Sequence, residues 1–286
     1  MPIRPAAVAG TWYPGSAGAL TREVDRYLAA APEWTGGRIR AVIAPHAGLM
    51  FSGPVGAHAY KAASAQSFDV VVLAGPSHYV AFDGVSIFPE GAFATPLGDA
   101  EIDSATAQAL LASPVVHPLP AAHQREHSLE MQLPFVRRLF PEARIVPLVM
   151  GFQTRETITA LAGALATACD SERTLIVAST DLSHYFDART AQQLDSQVAA
   201  HVASFDADGL LATFEHYPEH ERGRFVACGG GPAIAVMMAA RTLGARNARV
   251  LKYAHSGEIS GDNDGVVGYL AAALGTFESS GEGPSC

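Results

Sequence analysis

Lysine is almost missing from this 286-residue chain: Lys61 and Lys252 stand alone among its 19 basic residues. Lys and Arg form no run anywhere, and the formal net charge is -9. Nucleic acid and anionic membrane surfaces are therefore excluded as the main partner. Cysteine is scarce as well. Cys169, Cys228 and Cys286 lack the spacing of a disulfide framework, and the opening Met1-Pro2-Ile3-Arg4-Pro5 carries no apolar signal region. A reducing cytoplasm is the expected compartment. No uncharged apolar run reaches the ~18 residues of a membrane span. What is plentiful is apolar content, 49%, enough for one large core. One α/β domain over residues 1–278, followed by a flexible tail at 279–286, is expected.

The chain is organised around Ala41 to Gly53, an apolar run that stops at Pro45-His46 and passes through glycines toward Pro54. The same grammar recurs from Val70 to His78 and from Leu175 to His184. Three strand ends thus each carry a histidine. In an open α/β sheet, ligands collect outside the carboxyl ends of strands, where loops converge. Strands alternating with helices predict a mixed or mostly parallel sheet with helices on both faces. Helices are expected over about 19–30, 54–65, 128–140, 155–169 and 188–205, with a meandering hairpin over 84–98 and closing strands over 249–254 and 266–273.

Several constellations could carry chemistry. His46 and His78 sit at equivalent strand ends, and neutral imidazole is a common ligand for divalent metals. Cys228 stands where Gly229-Gly230-Gly231-Pro232 opens an apolar helix. There the helix dipole favours a thiolate, as ligand or nucleophile. Asp181 and His184 follow a further strand, spaced for an orienting carboxylate and an acid/base imidazole. Trp12 reads either as a plug of the core edge or as an aromatic wall at the mouth of the site. His123-Gln124-Arg125-Glu126-His127 matches the pattern of inverzincin peptidases, but Pro118 and Pro120 put it in a loop. His127 and Glu130 are expected to line the site. Asp262-Asn263-Asp264-Gly265 reads as a tight turn, since a calcium loop's ligand spacing is missing.

Ala44-Pro45-His46-Ala47-Gly48, Gly75-Pro76-Ser77-His78, Glu126 to Pro134, Ser179 to His184 and Cys228-Gly229 together resemble the Memo family, called AmmeMemoRadiSam system protein B in prokaryotes. The likeness runs from Gly10-Thr11-Trp12-Tyr13 to the segment Gly268 to Leu274. It implies the fold of the LigB-type class III extradiol dioxygenases, a single α/β domain with a non-haem iron pocket at one end of the sheet. It also implies a metal held by His46, His78 and Cys228, with Asp181 and His184 beside it as catalytic groups. In the dioxygenases a carboxylate completes the ligand set; a thiolate in its place softens the site toward iron or copper redox chemistry. Fe(II) is the expected metal, with copper second and zinc third. Trp12, His127, Glu130 and His255 are the expected substrate or ligand contacts, His255 standing where the family often has an uncharged polar residue. The implied partners are a small molecule or peptide and the AMMECR-like and radical SAM proteins of the same system. The competing expectation is a metal-free peptide-binding or ligand-binding module that uses the same pocket, with a zinc peptidase third.

Overall fold

A computed structural model describes residues 2–277; the expected tail over 279–286, and Cys286 with it, lies outside the described residues. Among these residues the centre of the molecule is four parallel strands. Arg38–Ala44, Thr174–Ser179, Val70–Pro76 and Arg144–Met150 lie side by side in that order. Each is apolar nearly throughout and buried beyond its first residues. A strand wet on one face would alternate, so this pattern means that both faces are covered.

Antiparallel strands extend this core on both sides, which makes the sheet mixed. Val266–Thr276 pairs with Arg38–Ala44 and is flanked in turn by Asn247–His255 and His184–Phe186. On the other side Val85–Ile87 runs antiparallel to Arg144–Met150 and carries Val116–Pro118 at the edge. The helix Leu49–Ala63 packs against Val266–Thr276 and Arg38–Ala44, and the helix Gly230–Thr242 against Val70–Pro76 and Thr174–Ser179. No single helix among the described residues is long and apolar enough to cross a membrane.

Four expectations of local structure change, the first being the loop expected around His123, where Pro120 instead opens a short helix, Pro120–Gln124. The second helix begins at Leu49 rather than at Pro54, with Pro54 inside it. Proline leaves the carbonyl four residues back, that of Met50, without its helical donor, and Met50 is exposed. The 84–98 stretch forms no hairpin. Val85–Ile87 joins the large sheet, while Ala92–Phe93 pairs with Ile3–Arg4 and Ala100–Glu101 in a small separate sheet. The helix expected over 128–140 is a 3-10 turn, Glu130–Gln132, followed by Leu133–Leu139.

Register decides where the site forms. Ala44 is level with Ser179, and Pro76 with Met150. The segments leaving these strands, with His46, His78 and Asp181, therefore emerge at one rim of the sheet. The helix Gly230–Thr242 brings its amino-terminal end, preceded by Cys228, to the same rim. Gly229 allows that approach, because a Cβ there would stand 2.3 Å from the Ser179 carbonyl oxygen.

Candidate metal centre

His46 is 1% exposed. Its backbone N–H donates to Asp181 Oδ1 at 2.7 Å, its Nδ1 meets Ser179 Oγ at 2.9 Å, and its Nε2 lies 3.2 Å from Cys228 Sγ. His78 is held from the other side by Glu126. The backbone N–H of His78 donates to Oε2 at 2.6 Å, and its Nδ1 meets Oε1 at 2.9 Å. Cys228 is half-buried and clasped by Asp181, whose carbonyl accepts from the Cys228 N–H at 3.2 Å and whose N–H points at Sγ at 3.4 Å. One ligand atom each from His46, His78 and Cys228 lies within 4.8 Å of the others. Two nitrogens and a sulfur that close suit a soft or borderline transition metal.

The electrostatics follow from burial and these contacts. Burial pushes the Cys228 thiol up, but the interaction with His46 and the hydrogen bonds from both histidines outweigh it and bring the thiol from 9.0 down to about 6. The two imidazoles are what lower it. Burial pulls His78 down, yet its bonds to the thiol and to Glu126 lift it to about 10. Burial raises Glu126, while the His78 bonds and charge hold it at about 2. Asp181 is pushed up by burial.

A cavity of about 450 Å³ opens onto this triad, and Trp12, His46, His78, His127, Asp181, His184, Tyr185, Arg224 and Cys228 are among its walls. Trp12, 37% exposed, packs its ring 4.4 Å from that of His127 and so forms a wall of the mouth, not a plug. The His127 ring is stacked on His78 at 4.4 Å and is held at about 3, by burial first and then by its two histidine neighbours. His184 Nδ1 lies 2.7 Å from the Leu182 carbonyl. A carbonyl only accepts, so Nδ1 carries the proton and Nε2 is left as acceptor.

Two expected site residues stand elsewhere. Glu130 is fully buried, pairs with Arg4, and accepts from the Ala7 and Val8 N–H groups and the Tyr13 hydroxyl. It anchors the segment that carries Trp12 and does not line the pocket. His255 is not among the pocket's walls either; it ends the strand Asn247–His255, opposite Gly268. The inverzincin pattern is not realised, because His123 turns away to Ser86 Oγ at 2.9 Å. His78, Glu126 and His127 form a second group of donors close enough for an ion. Sequence reasoning passed over Glu126, Ser179 and Gln132 as individual site residues. It also missed Tyr185, which is 70% exposed and held at φ 62 in the left-handed region that favours glycine. Glu126, Gln132 and Ser179 lay within matching motifs, which was the sequence's signal for them; Tyr185 had none.

Fold and site define a mixed α/β single-domain protein with two histidines and a cysteine gathered in a pocket at the strand ends. The chain belongs to the Memo family: the family profile described as Memo-like protein matches residues 4–273. It is 37% identical over 274 residues to a MEMO1 family protein of Methanosarcina mazei, covering 95% of this chain and 98% of that one. A MEMO1 family protein of Methanopyrus kandleri is 36% identical over 281 residues, covering 94% and 97%. Among solved structures, the uncharacterized protein JW3007 from Escherichia coli K12 shares the fold, with a TM-score of 0.57 and 14% identity over 83% of this chain and 100% of that one.

Proposed function

We propose that the pocket is a mononuclear metal site held by His46, His78 and Cys228, of the non-haem iron or copper kind, that acts on a small substrate in the cavity. The observation that carries this reading is the approach of the three donor atoms to within 4.8 Å of one another. A bound Fe(II) or copper ion would supply one-electron and dioxygen chemistry. The chain's own groups do the rest. His184 presents Nε2 as the proton acceptor for a substrate hydroxyl, the Asp181 carboxylate fixes the backbone of His46, and Trp12 and Tyr185 offer flat faces to an aromatic or planar ligand.

Anaerobic purification followed by metal analysis tests the site. The parent should retain close to one equivalent of iron or copper, and His46→Ala should lose most of it. Asp181→Asn and His184→Gln should keep their metal; if Asp181→Asn loses as much as His46→Ala, the assigned roles are wrong. Cys228→Asp rebuilds a two-histidine, one-carboxylate set, and with Fe(II) and air it should bind or cleave a catechol better than the parent. Alkylation separates this reading from its rival, a metal-free binding module built on the same aromatic rim. Iodoacetamide should label Cys228 quickly without metal and slowly with it. Equal rates would favour the module.

A further inference from the structure

Both histidines of the triad are gripped at Nδ1 by buried groups whose hydrogen positions can be deduced. Ser179 Oγ lies 2.7 Å from the Ser128 carbonyl, 2.8 Å from Gln132 Nε2 and 2.9 Å from His46 Nδ1. A carbonyl cannot donate, so the single hydroxyl proton of Ser179 goes to Ser128 and its lone pairs face the other two groups. The Gln132 amide is oriented by the same logic. Its nitrogen faces the Pro45 carbonyl at 3.0 Å and its oxygen faces the Tyr60 hydroxyl at 2.9 Å. Gln132 therefore donates to Ser179, and what Ser179 needs from His46 is a second donor. His46 Nδ1 carries the proton, and its Nε2 is turned toward Cys228.

Glu126 does the same for His78 with a carboxylate. It is 2% exposed, and its two oxygens already accept from the His78 N–H, His78 Nδ1 and the Ser128 N–H at 2.8 Å. With its acceptor positions turned to these donors, Glu126 is better placed to aim an imidazole than to bind an ion with His127. Arg4 steadies the backbone of this loop, donating to the His123 carbonyl at 2.9 Å and the Glu126 carbonyl at 2.6 Å.

We propose that Ser179, backed by Gln132, and Glu126 are positioning residues that lock His46 and His78 as Nδ1–H imidazoles, so that both present Nε2 to one metal. This rests on the metal-site reading above, and it assigns the residues that aim the ligands. Such outer partners typically change metal affinity by ~10–100-fold.

The test uses the full chain with zinc and cobalt as probes. In nitrogen-15 spectra of the zinc-loaded parent, both rings should show a protonated Nδ1 and a metal-bound Nε2; metal at Nδ1 of either ring overturns the proposal, and this measurement needs no variant. In the metal-free parent, each ring should show a slowly exchanging Nδ1–H signal. The His46 signal should vanish in Ser179→Ala and persist in Ser179→Thr, and the His78 signal should vanish in Glu126→Gln. Cobalt titration should give one equivalent, with affinity reduced by ~10–100-fold in Ser179→Ala and in Glu126→Gln and restored in Ser179→Thr. Unchanged affinity in both weakened variants overturns the proposal. A second equivalent of cobalt that Glu126→Gln abolishes also overturns it, since Glu126 would then be a ligand. If the parent takes up no cobalt or zinc, the metal reading fails instead, and the two Nδ1–H signals still decide whether the rings are locked.

Discussion

Glu130 shows how a single buried carboxylate can serve a site it does not touch. It gathers the Arg4 guanidinium, two backbone N–H groups and the Tyr13 hydroxyl, and the residue between them and the pocket is Trp12. Removing one partner of a buried ion pair leaves the other charge uncompensated, which costs ~3–5 kcal/mol. Glu130→Gln should lower stability by ~3 kcal/mol in chemical denaturation, given that Arg4 retains two carbonyl partners. In a Trp34→Phe background the same change should shift the Trp12 emission toward that of exposed indole. An unchanged spectrum would mean that the anchor does not control Trp12. The role was hidden in the sequence because Glu130 lies three residues from His127, a spacing that suggests one shared face, while its real partners come from a strap more than a hundred positions away. His46, His78 and Cys228 were legible because each follows or precedes an element whose type is plain from apolar runs and glycines. Ser179 and Gln132 were not, since their meaning depends on which carbonyls face them.

Between elements, the contact that sets the geometry is the one between the amino-terminal end of Gly230–Thr242 and the end of Thr174–Ser179. Gly229→Ala would thrust a methyl group to 2.3 Å from the Ser179 carbonyl oxygen, a backbone atom that cannot swing aside. Overpacking of this kind costs ~1–3 kcal/mol, and the shift should carry Cys228 away from His46. Lower melting temperature together with weaker metal retention is expected; a drop in stability alone would show that the helix yields elsewhere. Gly163 supplies the contrast. It lies inside the helix Arg155–Ala168 with nothing within 4 Å of a built Cβ, so Gly163→Ala should raise stability by ~0.5–1 kcal/mol and leave the pocket alone. The alternation of strand and helix was readable at this scale, but strand partners were not. Ala92–Phe93 looked like half of a hairpin because nothing in its own residues names Ile3–Arg4 as its neighbour.

At the scale of the whole molecule, His123 links folding to acidity. Its Nε2 faces Ser86, its Nδ1 is buried without a partner, and burial, then the Arg4 charge, hold the ring at about 3 against an ordinary 6.5. Between those values the unfolded chain binds a proton that the folded chain refuses. The stability from this ring is present above about 6.5 and is lost as pH falls toward 3, at ~1.4 kcal/mol per pH unit for one proton. Denaturation midpoints of the parent should fall more steeply over that window than those of His123→Leu; parallel profiles would show that the ring titrates normally in the fold.

The order of strands has a consequence for how the protein is made. Arg38–Ala44, which delivers His46, waits for Val266–Thr276 to pair along its other side, and the pocket takes walls from both Trp12 and Val267. On a translating ribosome, a nascent chain that already holds His46, His78 and Cys228 still lacks the strand that closes its sheet until Ala272 to Thr276 have left the exit tunnel. Pairing between segments so far apart in sequence is slow to form. On the metal-site reading proposed above, an ion captured before then would meet loose donors instead of a built pocket, and its loading would belong to the finished polypeptide and not to its synthesis.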